Sequence, residues 1–289
     1  MKKEYLSLLR KFKKKIFKLS NRLLEDLKNE KKLVFIHIGK CGGTSTISSL
    51  KKNNKNIRIY HEERPPIFRS NKDKYFFIVR NPLARFVSAF NYSKSIIDFD
   101  LNSIKEDKLS LENCPAPANI RERIRNGIAF SKSYDNLINY FETANDLAES
   151  IYSSNEEIRK KARKLMLSKK GHIYKSIGWY LYNGKFIERK NDQIIFVGRL
   201  EYIDEDINNY QEKNRSQKII FDNLKNENNK YYLNHIRKTN TIYSKDLSKV
   251  AIDNLKRWYT DNDYAALKML LSYGWLDQKI YSEYQNYST

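Results

Sequence analysis

Phe35 to Ser45 reads FIHIGKCGGTS, and this stretch decides the fold. With Leu33 and Val34 before it, an apolar run from Leu33 to Ile38 leads straight into a loop holding Gly39, Gly42 and Gly43. A near-continuous run of this kind reads as a central strand buried on both faces. Glycines let a backbone come close to a ligand. A strand that passes through such a loop into a helix offers an anion both N–H groups and the positive end of the helix dipole. Thr44 and Ser45 add hydroxyls, and Lys40 adds a mobile positive charge. The segment reads as a phosphate cradle.

The order of residues inside the cradle narrows its use. A nucleoside-triphosphate loop places its lysine after the last glycine, next to the hydroxyl residue. Here Lys40 precedes both Gly42 and Gly43. A magnesium-dependent kinase also needs a carboxylate near the end of a second strand. The strand expected at Tyr75–Val79 is followed instead by Arg80-Asn81-Pro82, a cation where a magnesium site wants an anion.

Working outward, Thr44 to about Asn53 reads as the helix that follows the loop, and Ile57–Tyr60 as a short second strand. Pro82 suits the first turn of a helix expected over Leu83–Tyr92. The pattern weakens from Ser93 to Asn119, where Cys114-Pro115-Ala116-Pro117 interrupts any regular element. Helices with interruptions are expected from Ile120 to Leu167, a buried strand at Ile194–Val197, and closing helices that carry Leu255, Trp258, Tyr259, Tyr264, Leu267 and Leu270. Strands alternating with helices imply an α/β fold with a central, mostly parallel sheet.

Residues 1–31 contain neither Pro nor Gly, and Leu6, Leu9, Phe12, Ile16, Leu19, Leu23 and Leu27 recur at helical spacing among many lysines. A basic amphipathic helix results, suited to the surface of an anionic membrane, to a partner helix, or to packing on the domain at 32–289. The net charge of +21 favours anionic partners without choosing among them. Two cysteines, Cys41 and Cys114, are too few for a disulfide framework, and no signal peptide is in view, so a cytoplasmic location is expected, peripheral to the inner face of the membrane if the helix anchors. No apolar run nears the roughly 20 residues that span a bilayer. His37, His61, His172 and His235 show no metal-ligand spacing, so no metal is expected.

Two segments together carry a family resemblance. FIHIGKCGGTS resembles the 5′-phosphosulfate loop of sulfotransferases, and FFIVRNPLARFVSAF is similar to that superfamily's 3′-phosphate segment. VGRLE at Val197–Glu201 and the tail RWYTDNDYAAL resemble elements of the membrane-type and bacterial carbohydrate sulfotransferases. The resemblance implies a P-loop-like three-layer fold and 3′-phosphoadenosine-5′-phosphosulfate (PAPS) as donor. It also implies a carbohydrate acceptor, a glycan or polysaccharide, with no nucleic-acid partner. Carried over by position, Lys40, Cys41, Gly42, Gly43, Thr44 and Ser45 hold the 5′-phosphosulfate, and Arg80 and Ser88 the 3′-phosphate. Gly39 departs from the family's proline.

Sulfuryl transfer needs alignment, a cation at the leaving phosphate oxygen and a base at the acceptor hydroxyl. Lys40 suits the cation. A neutral histidine suits the base, since its ordinary pKa is about 6.5. His61, just past the second strand at the sheet edge where Lys40 and Arg80 emerge, is the expected base, with Glu62 and Glu63 as alternatives or orienting groups. Glu62 is a candidate acceptor contact, and so is His172, which in GHIYKSIGWYL resembles a family position near the acceptor cleft. His37 is expected to be a hydrogen-bonded core residue, and Arg199 and Glu201 structural ion pairs. Arg121, Arg123 and Arg125 suit either an acidic acceptor site or a solvated helical face. The alternatives are a P-loop-type nucleotide kinase and a sulfotransferase for a non-carbohydrate hydroxyl.

Overall fold

A computed structural model describes residues 32–43, 46–47, 57–61, 63–67, 72–103, 130–213 and 243–287. The expected helix at 1–31 and most of the one after the loop lie outside the described residues, as do Thr44, Ser45, Glu62, Cys114, Arg121, Arg123, Arg125 and His235.

The strands expected from sequence form one parallel sheet in the order β2-β1-β3-β4, from β1 (Leu33–His37), β2 (Ile57–His61), β3 (Lys74–Val79) and β4 (Ile194–Arg199). Every pairing is parallel, so the chain leaves β1, β2 and β3 at the same edge of the sheet. There the glycine-bearing loop after β1, His61 and Arg80 come together.

Alternation along β1 explains the layers. Val34 and Ile36 face the larger core, and Phe35 points to the other side, where it meets Phe76, Phe196, Ile207 and Tyr210. That second side also receives Ile57 and Ile59 of β2. Helices therefore cover both faces of the sheet, giving the P-loop-like α/β architecture.

Helix α1 (Pro82–Ser103) is longer than expected. The sequence pattern weakened after Tyr92, yet Ser93, Ile96 and Ile97 are buried, so contacts with the core carry the helix on. Next come α2 (Lys132–Tyr140), α3 (Ala144–Ser150) and α4 (Glu156–Met166), each started by a side-chain cap from Ser131, Thr143 and Asn155 respectively. The chain continues through α5 (Ile177–Leu181), α6 (Lys185–Lys190), β4 and α7 (Ile203–Lys213), whose Ile207 and Tyr210 cover the second face. It closes with α8 (Lys249–Tyr259), a π-helical turn at Thr260–Tyr264, α9 (Ala265–Ser272) and α10 (Gln278–Gln285). Among the described residues no helix is long and apolar enough to cross a membrane.

Candidate active site

The loop after β1 turns tightly, with Cys41 N–H donating to Ile38 O at 3.3 Å. Helical backbone begins at Gly43, and Thr46 N–H donates to Gly42 O. Lys40 holds φ at 69°, a left-handed conformation that strains a residue bearing a Cβ and is often found at ligand clamps.

Side chains crowd the loop from two sides. A Cβ at Gly43 would sit 1.7 Å from Cδ2 of His37, so the imidazole occupies the space a side chain would need. A Cβ at Gly39 would meet Nδ1 of His172 at 2.8 Å. Glycine in place of the family's proline thus admits His172. The Cys41 side chain is buried in the main core, which pushes its thiol up to about 12 and leaves the backbone as what it presents to the loop.

His37 and His61 are register partners on β1 and β2, and their ring centroids lie 4.5 Å apart. His61 is exposed, whereas His37 is 6% exposed. The expected hydrogen bond of a core histidine is missing at Nδ1 of His37, which is buried without a partner among the described residues. Burial, then the charges of His61 and Lys40, lower its pKa to about 3. It is therefore neutral near pH 7.

On the other side of the loop, the Lys40 ammonium stands 3.8 Å over the Tyr92 ring, and that ring packs against His172 at 5.3 Å. Enclosure, then the positive charges of Arg80 and Arg85, lowers the Lys40 pKa to about 7. His172 Nδ1 is buried with no hydrogen bond among the described residues, and burial holds the ring's pKa well below its ordinary value.

Arg80 leaves the end of β3 and donates from Nη1 to Lys40 O at 3.4 Å, which joins the end of β3 to the loop after β1. Its Nε lies 3.6 Å from Glu201 Oε1, longer than a hydrogen bond, so a donor remains to be satisfied. Glu201 also accepts from Asn81 N–H at 3.2 Å and from Tyr284 Oη at 2.7 Å. The expected ion pairs thus divide. Arg199 is held by Asp206, while Glu201 serves Arg80.

The Arg-Asn-Pro sequence has a local explanation. Asn81 Oδ1 accepts from Leu83 and Ala84 N–H, capping α1, and Pro82 takes the first helical position, where its missing N–H costs nothing. The Asn81 amide reaches Tyr284 O and Asn286 O, tying the cap to the end of the described chain.

Along α1, spacings of three and four put Arg85, Ser88, Ala89 and Tyr92 on one face. Arg85 is 0% exposed and donates to the carbonyls of His172, Ile173 and Lys175, so it shapes the segment that covers the loop. Its counter-charge is Asp263, also fully buried, at 3.8 Å, and Asp263 accepts from Gly178 N–H at 2.8 Å. Ser88 stands half-buried between Arg85 and Tyr92 on this face.

Sequence reasoning gave Arg85, Asp263 and Tyr92 no role, although Arg85 and Asp263 fall inside the motifs it had quoted and Tyr92 closes the helix it expected. A charged residue at the core spacing of an apolar helix was the available signal for Arg85. Among the described residues there is no cluster of three or more metal-ligating side chains.

No curated protein and no solved structure matches the chain. The family model described as "Sulfotransferase family" matches residues 26–267, a span that takes in the loop, Arg80, β4 and the Asp263 turn. The chain belongs to the sulfotransferase family.

Proposed function

We propose that this chain transfers a sulfuryl group from PAPS to a hydroxyl of a carbohydrate acceptor. One observation carries the donor assignment: Arg80 Nη1 on the Lys40 carbonyl, which unites a 5′-phosphate loop and a 3′-phosphate arginine in one place. The residues fit such a ligand. Gly43 gives the loop a bare backbone over His37, and Arg80 Nε is a buried donor in want of an acceptor. Bound there, PAPS would supply the sulfuryl group and a phosphate leaving group.

Lys40, the amides of Cys41, Gly42 and Gly43, and the hydroxyls of Thr44 and Ser45 would grip the 5′ end, and Arg80 and Ser88 the 3′-phosphate. Lys40 neutralises charge that develops on the leaving oxygen. His61 takes the proton of the acceptor hydroxyl at a ring nitrogen, with Glu62 or Glu63 as alternative bases. His37 lies against Gly43 with its ring centroid 4.5 Å from that of His61, so it can position the His61 imidazole, while a pKa lowered to about 3 makes it a poor proton acceptor itself. Exchanging each histidine for Asn and comparing pH–rate profiles separates them, because loss of the base flattens the acidic limb.

The donor assignment is tested by thermal shift with 3′,5′-ADP in the absence of magnesium. Stabilisation of the parent protein, lost in Lys40→Ala and Arg80→Ala, is expected. No shift in the parent, or a shift only with ATP and magnesium, would overturn it in favour of a nucleotide kinase. Labelled-sulfate transfer to glycans against simple alcohols and peptides tests the carbohydrate assignment.

A further inference from the structure

Helix α4 carries a face that neither the proposed donor contacts nor the histidines use. Residues 159–170 hold seven lysines and arginines and no carboxylate. The helix packs on the core through Ala162, Leu165 and Met166. That leaves Lys160, Arg163, Lys164 and Leu167 exposed, at spacings of three and four that put them on one face.

Charge is uneven along this face. Glu156 pairs with Lys160 at 2.6 Å and Glu157 with Lys161 at 2.7 Å, so the first turns are close to neutral. Beyond them, Arg163, Lys164, Lys169 and Lys170 are exposed, and among the described residues none has a carboxylate within ion-pair distance. Cations in a last turn complement the helix dipole, which accounts for Arg163 and Lys164. It does not account for Lys169 and Lys170, which follow the helix, or for Arg257, which arrives from α8. The guanidinium carbons of Arg257 and Arg163 lie 4.3 and 5.1 Å from one ring centroid, that of Tyr152. Arg163 Nε donates to Ile151 O at 3.0 Å, so its stem is held while its two terminal nitrogens have no acceptor among the described residues.

Apolar groups interrupt these cations. Leu167 is 58% exposed and falls between Lys164 and Lys169 in sequence. Tyr140 is 44% exposed, and the Lys161 ammonium stands 4.0 Å over its ring. The mixture defines the partner. A dissolved polyanion gains from the cations and nothing from the leucine. An anionic bilayer gains from both, because lysine and arginine reach headgroup phosphates, leucine enters the acyl boundary and tyrosine rests at the interface.

We propose that the outer face of α4, the turn after it and Arg257 form a docking surface for an anionic lipid bilayer. The surface belongs to the folded domain, apart from residues 1–31, and does not depend on the identity of donor or acceptor. Lys169 precedes His172 by three residues, at most about 11 Å of chain. Docking there brings the bilayer close to the segment that covers the loop.

Sedimentation of the full chain with vesicles tests the surface, with phosphatidylcholine alone set against phosphatidylcholine mixed with phosphatidylglycerol. Binding to the mixed vesicles only is expected. A cation near an anionic surface is worth roughly a fivefold gain in partition. Lys164→Gln, Lys169→Gln and Lys170→Gln combined should therefore weaken binding about a hundredfold. Leu167→Ser should weaken it at least about fivefold. No binding to either vesicle, equal binding to both, or unchanged binding in the triple variant would overturn the proposal. Binding lost in the triple variant, unchanged in Leu167→Ser and displaced by alginate would overturn it in favour of a site for a soluble polyanion. All four side chains are exposed, so the variants should melt with the parent and keep its 3′,5′-ADP shift, which is recorded separately from vesicle binding.

Discussion

His37 and His61 face each other in register on adjacent parallel strands, one buried against Gly43 of the loop and the other in solvent. The buried ring resists protonation until about pH 3, whereas in the unfolded chain it takes a proton near 6.5. Between those values the unfolded state binds more protons, so stability falls as pH drops below 6.5 and the loss levels off near 3. Each such group contributes a slope of about 1.4 kcal/mol per pH unit. His172 is shifted in the same direction and adds to it. Urea unfolding at pH 7 and pH 5 should show the loss, and His37→Gln should reduce the slope.

Lys40 invites a calorimetric prediction. Its pKa of about 7 leaves the amine mostly neutral at pH 8. A phosphate dianion placed against it restores the charge, so binding 3′,5′-ADP at pH 8 should take up a large part of one proton, and affinity should fall as pH rises from 7 to 9. Titrations in buffers of different ionisation enthalpy measure this uptake. Lys40→Met should abolish it.

The two crowded glycines differ in what they can absorb. Gly43→Ala would drive a methyl into His37 at 1.7 Å, so a loss of about 1–3 kcal/mol in stability is expected together with lost 3′,5′-ADP binding. Gly39→Ala meets only the edge of His172, and pairing it with His172→Ala should remove most of its cost. A double-mutant cycle by thermal unfolding reads that coupling.

Removing one partner of the buried Arg85–Asp263 pair leaves a charge stranded. Asp263→Ala should cost about 3–5 kcal/mol in urea unfolding. Loss of order at residues 172–175, followed by hydrogen exchange, should accompany it.

Sequence alone revealed the sheet and the loop because both are local. A run such as Leu33–Ile38 declares a buried strand without help from the rest of the chain, and the position of Lys40 before Gly42 is visible in the order of letters. The surroundings of the loop were not legible, since they depend on packing across the chain. His172 meets Gly39, Asp263 meets Arg85, and Glu201 meets Arg80 only after folding. The extension of α1 past Tyr92 was hidden for the same reason, because burial of Ile96 and Ile97 overrides a weak local pattern.

The Asn81 amide reaches the Tyr284 carbonyl across 203 positions of sequence, and the same tyrosine's hydroxyl holds Glu201 against the Arg80 end of β3. A ribosome must therefore have released α10 before Glu201 is held in this way beside Arg80. A chain cut before Gln278 would lose both the Tyr284 contacts at this end of the sheet and the Ile280 and Tyr284 side chains of the main core.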